Sequence, residues 1–101
     1  MFGIPEKSFD LIITALHQFP EIEKAIIFGS RSMGNYKAGS DIDIAIVGDA
    51  ITPDVVLKLK AALNEQLPLP YYFDVVDYTH LENSNLRQHI ETEGTLFYLA
   101  G

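Results

Sequence analysis

The sequence has no cysteine. That excludes a disulfide framework and any thiolate metal site. Basic residues are scarce, seven Lys plus Arg against fourteen Asp plus Glu, for a formal charge of −7. Such a surface repels a phosphate backbone, so broad nucleic-acid binding is not expected. A metal–nucleotide ligand stays open, because its cation carries positive charge locally. No apolar run approaches the roughly 20 residues of a membrane-spanning helix. The opening MFGIPEKSFD lacks a basic stretch followed by an apolar one, so no signal peptide is expected and the cytoplasm is the default location. Repeats, low-complexity tracts and linkers are also missing. What is present is 101 residues of 48% hydrophobic content, enough for one domain, residues 1–101, around one core.

Patterning divides the chain into alternating elements. Phe9, Ile12, Ile13 and Leu16 recur at helical spacing within a predicted first helix over 5–19, which Pro20 ends. KAIIF (24–28) reads as a strand, 30–34 as a short helix, 36–40 as a loop and DIDIAIV (41–47) as a second strand. Thr52 is a predicted cap for a helix beginning at Pro53. YYFDVVD (71–77) reads as a third strand, 82–93 as a last helix ending at Gly94, and TLFYL (95–99) as a fourth strand. Alternation of this kind specifies an α/β fold. Too little chain separates the first two strands for a parallel crossover. They are expected to be antiparallel, in a small mixed sheet flanked by helices.

The second strand poses a problem of charge. Side chains alternate along a strand, so Asp41 and Asp43 share one face and Ile42, Ile44 and Ile46 the other. Two carboxylates this close repel unless a cation lies between them. Oxygen ligands without cysteine or a nearby histidine favour a hard ion such as Mg²⁺ or Mn²⁺. The third strand offers Asp74 and Asp77, three apart and therefore on opposite faces. Asp74, in mid-strand, is the expected third ligand; Asp77, at the strand's end, suits a turn cap. Upstream, Gly29 permits close backbone approach and Ser30 opens the short helix, together a candidate seat for phosphates. Arg31 and Lys37 are near enough in sequence to reach those phosphates, and a solvated position suits either equally well. Tyr71, Tyr72 and Phe73 read as packing aromatics rather than a stacking platform, and His17, His80 and His89 have no ligand spacing.

The stretch GSRSMGNYKAGSDIDIAIV resembles the active-site signature of the DNA polymerase beta-like nucleotidyltransferases: Gly-Ser, a ten-residue spacer, Asp-x-Asp, and a later aspartate on a neighbouring strand. The resemblance spans nearly the whole chain and is nearest to the minimal members paired with HEPN-domain proteins in toxin–antitoxin systems. It implies a catalytic and metal-binding triad of Asp41, Asp43 and Asp74. It also implies nucleotide binding by Gly29, Ser30 and Arg31, with ATP as substrate and transfer of AMP to a tyrosine of a HEPN partner. Larger relatives carry a second helical domain that binds the acceptor, and this chain has none. Two other functions fit the same residues. One is a catalytic subunit acting on a small-molecule alcohol; the other is an antitoxin that works by binding alone.

Overall fold

The structure, a computed structural model, describes residues 1–37 and 39–101. Ala38, within the predicted 36–40 loop, lies outside the described residues. Helix α1 (Glu6–His17) starts behind Pro5 and buries Ile12, Ala15 and Leu16. Strand β1 (Lys24–Phe28) leads through Gly29 into the single turn α2 (Ser30–Met33). Strand β2 is Ile42–Val47. Helix α3 (Pro53–Ala61) has Pro53 in its first turn, and the Thr52 hydroxyl accepts the Val55 N–H at 3.3 Å, which meets one of the donors a helix start leaves free. It runs on as one wider π-helical turn, Ala62–Gln66. Strand β3 (Phe73–Asp77), helix α4 (Ser84–Glu93) and strand β4 (Thr95–Leu99) complete the chain.

The four strands lie in the order β3-β2-β1-β4. As expected from the short β1–β2 connection, these two strands are antiparallel; β1–β4 is antiparallel as well, and β2–β3 is parallel, the crossover being α3. Several boundaries differ from the sequence reading: α1 is Glu6–His17 rather than 5–19, α2 ends at Met33 rather than residue 34, and three other elements start later. β2 begins at Ile42 rather than Asp41, and β3 at Phe73 rather than Tyr71. α4 begins at Ser84 rather than residue 82, because the Asn83 side chain accepts the Leu86 N–H at 3.0 Å and caps it there.

The expectation of one core resolves into two apolar clusters, one on each face of the sheet. On the first face α1 and α3 pack Ile12, Leu16, Leu59 and Leu63 against Ile27, Ile42, Ile44, Ile46 and Phe73. On the second, α4 packs Ile90 and Leu86 against Phe28, Ala45 and Val76. Among the described residues no helix is long and apolar enough to cross a membrane.

Candidate active site

The second face is covered only in part. α4 sits over Ala45 of β2 and over Phe28 of β1, the residue paired with Asp43. At the N-terminal ends of the parallel pair, β2 and β3, the face is open, and three carboxylates gather there. The ladder places Asp43 opposite Asp74, on neighbouring strands about 4.8 Å apart. Asp41 stands exposed one step before β2, and Asp43 is half-buried. Asp77 falls on the other side. It caps the turn after β3, pairing with His80 Nδ1 at 2.7 Å and accepting the His80 N–H at 3.3 Å.

Gly29 closes over this group from β1. Its φ of 75° and ψ of −153° belong to a region that essentially only glycine occupies. A Cβ there would strike Asp43 Oδ2. The residue after it, Ser30, begins α2, whose first-turn N–H groups have no partners within so short a helix. The sharp turn thus brings the Gly29 backbone close to the Asp43 carboxylate.

The electrostatics follow from this crowding. Burial, then the neighbouring Asp74 and Asp41 charges, push the Asp43 carboxyl above the ordinary aspartate value, with His89 opposing the rise. His89 comes from α4, where its ring meets Phe28 edge-on at 6.1 Å. Asp74 is tethered by its Oδ1, which takes the Val75 N–H at 3.1 Å and lies 3.6 Å from Lys60 Nζ of α3. Among the described residues no three acidic or imidazole side chains converge closely enough to hold a metal ion as they stand. The donor set itself still suits a hard divalent cation: three carboxylates, with Asp43 raised by burial and by the other two, and one lysine beside Asp74. The charge of a cation there would relieve the repulsion.

Arg31, expected at the phosphates, points elsewhere. It is buried, at 2% exposure, and its guanidinium donates to the carbonyls of Phe2 at 3.1 Å and Ser40 at 2.9 Å. Ser40, in turn, accepts the Lys37 N–H on its hydroxyl. The cause is helix geometry: consecutive residues of α2 point about 100° apart, so Ser30 and Arg31 leave it in different directions.

Several contributors carried no sequence signal. The Asn64 amide, in the π-helical turn, accepts the Phe73 N–H at 2.7 Å and donates to the Phe73 carbonyl at 2.9 Å. It thereby substitutes for a missing strand and anchors the edge of β3 one residue before Asp74. Lys60 and His89 reach the site from helices far along the chain. Tyr72 corrects the packing expectation: Tyr71 and Phe73 turn inward, whereas Tyr72 is 53% exposed. Its carbonyl accepts the Ile42 N–H at 2.9 Å, which carries the β2–β3 register back to Asp41. Strand alternation sets the Tyr72 ring on the carboxylate face. A cavity of about 520 Å³ lies away from all this, at the C-terminal end of β3, lined by Pro53, Val56, Val76, Asp77, His80, Leu81 and Glu82.

The family described as "Polymerase beta, Nucleotidyltransferase" matches residues 10–100. No curated protein matches the chain. Among solved structures, the chain is similar to a toxin–antitoxin complex with AMP-PNP, at 24% identity over 96% of this chain and 75% of that one, with a TM-score of 0.73. It is similar to the Shewanella oneidensis complex of a tri-AMPylated HEPN toxin with its MNT antitoxin, at 25% identity over 94% of this chain and 72% of that one, TM-score 0.70. The MntA–HepT toxin–antitoxin complex aligns at 23% identity over 95% and 74%, TM-score 0.71.

Proposed function

The chain belongs to the polymerase beta nucleotidyltransferase family, and from that premise we propose that it transfers AMP from ATP to a tyrosine hydroxyl of a HEPN-domain partner, acting as that partner's antitoxin. The observation that carries this reading is the Asp43–Asp74 pair, side by side across parallel strands beneath the Gly29 turn. A group of like charges at an open strand end has a use in phosphoryl transfer and none in packing. The solved complex of an AMPylated HEPN toxin with its antitoxin supports the choice of donor group and acceptor.

Residues 1–101 act in this reading as one catalytic unit in the cytoplasm. Asp41, Asp43 and Asp74 would hold Mg²⁺ or Mn²⁺, which supplies charge neutralisation at the triphosphate and acidifies the incoming hydroxyl. The first-turn N–H groups at Gly29 and Ser30 hydrogen-bond the leaving phosphates, and the Ser30 hydroxyl adds a donor. Asp74 accepts the proton of the attacking tyrosine through Oδ2, its oxygen not tied to Val75 or Lys60. The tyrosinate oxygen attacks the α-phosphorus in line, the bond to the β-phosphate oxygen breaks, and pyrophosphate leaves. The acceptor surface comes from the partner.

Incubation with α-labelled ATP, Mg²⁺ and the paired HEPN protein tests the proposal. Label is expected on a partner tyrosine with wild type and not with an Asp41→Ala, Asp43→Ala double variant. Equal labelling by the two proteins, or label only on a small-molecule alcohol, overturns it.

A further inference from the structure

Arg31 is a cation in the interior with no carboxylate beside it among the described ion pairs. Removing a guanidinium from water is costly unless its donors are met, and here the chain has assembled a cage to do so. Tyr36 and Tyr71 present their ring faces, 4.9 and 5.0 Å from the guanidinium carbon. The Phe2 and Ser40 carbonyls accept from Nη1 and Nη2, while Nε is buried with no partner. The Phe2 backbone adopts a φ of 55° to present its carbonyl, unusual for a non-glycine residue. Gly3 follows at φ 70°, where a Cβ would run into the Tyr36 ring.

The walls of this cage are the supports of the site. Arg31 follows Ser30 directly. Ser40, whose carbonyl it grips, immediately precedes Asp41. Tyr71 stands on the approach to β3, three residues before Asp74. One guanidinium therefore joins the phosphate seat, the first metal-holding carboxylate and the entry to the third. A lysine cannot replace it: one ammonium does not span two separate carbonyls while lying flat between two rings.

We infer that Arg31 is a positioning residue that fixes the spacing between the Gly29–Ser30 turn and Asp41, so that nucleotide and divalent cation bind cooperatively. The inference rests on the transferase reading above and reassigns Arg31 within it. Arg31 touches neither phosphate nor metal. Its contribution is the separation at which the two ligands meet.

Cooperativity can be read without turnover. A non-hydrolysable ATP analogue is titrated by calorimetry into wild type, Arg31→Lys and Arg31→Met, with and without Mn²⁺, at a temperature well below each protein's Tm. In both variants the analogue's affinity without metal is expected to stay within about threefold of wild type, while the enhancement given by Mn²⁺ falls at least fivefold, within the usual range of coupling between sites. Retained enhancement in a folded variant overturns the inference and leaves Arg31 a stabilising residue only. Metal-free affinity that collapses in Arg31→Met and survives in Arg31→Lys also overturns it, and makes Arg31 a phosphate ligand. Should Arg31→Met fail to fold, Tyr36→Leu, which removes one wall, is expected to show the same loss of enhancement at smaller size, and full enhancement there counts against the inference. A wild type that binds no nucleotide sinks the transferase reading, and this inference with it; intact wild-type cooperativity shared by the variants sinks the inference alone.

Discussion

The two faces of β2 are made of the same six-residue stretch and have opposite fates. Ile42, Ile44 and Ile46 are each fully buried against α1 and α3, worth roughly 1.5–3 kcal/mol apiece in removed apolar surface. The opposite face carries Asp43 and Ala45; α4 packs on Ala45 and brings His89 to bear on Asp43, which stays half-buried. One face stabilises the fold, and the other holds charges that the fold would be better without. The difference teaches where the candidate site lies: on the half-buried face of a strand secured from behind.

Moving a charge to the wrong face should break the contrast most completely. Ile44→Asp, one residue from Asp43, places a carboxylate where no water or cation reaches. The expected cost exceeds about 5 kcal/mol, comparable to the whole stability of a small domain. Circular dichroism should show an unfolded chain at neutral pH; a folded variant would mean the apolar face is less sealed than it looks. The reverse change is next in size. Asp43→Asn is expected to lower transfer about a hundred- to a thousandfold while raising the Tm of the metal-free protein by up to about 4 °C at neutral pH. The sign follows from the raised carboxyl of Asp43, caused first by burial and then by Asp74 and Asp41. The folded state disfavours the ionised form, so the penalty is present above the folded pKa and fades as pH falls through it. The Tm gap between variant and wild type should therefore narrow on acidification. A gap that widens, or a variant less stable at pH 7, would contradict the reading of Asp43 as a strained charge.

The sequence showed the isoleucine–aspartate alternation, the antiparallel β1–β2 pair and the mixed sheet, because each depends on period-two patterning or on the length of a connection. Strand parity set Asp74 and Asp77 on opposite faces, and the mid-strand position of Asp74 singled it out; the register sets Asp74 beside Asp43. What it could not show depends on long-range geometry. The direction of the Arg31 side chain is set by its long-range partners, the Phe2 carbonyl and the Tyr71 ring among them, not by its nearness to Ser30. Lys60, Asn64 and His89 reach the site through helix packing across 10 to 46 residues of chain, and no local pattern marks them. Tyr71, Tyr72 and Phe73 look alike as a run of aromatics. Only the register, continued by the Ile42–Tyr72 hydrogen bond, separates the one ring that faces out from the two that face in.

That outward ring allows the smallest and most discriminating test of the two faces. Tyr72 is on the carboxylate side and half in solvent, so its truncation removes no core contact. Tyr72→Ala should leave Tm within about 2 °C, a surface-sized change. An aromatic ring beside a triphosphate seat is a natural partner for a purine, and loss of one such contact weakens binding about two- to tenfold. The KM for ATP should rise by that factor, with kcat held, and Tyr72→Phe should restore it because the ring face and not the hydroxyl makes the contact. If ATP is unaffected and the KM for the protein acceptor rises instead, the ring belongs to the docking of the partner. If neither moves, the carboxylate face is used only as far as its three aspartates, and the contrast with the isoleucine face is one of charge alone.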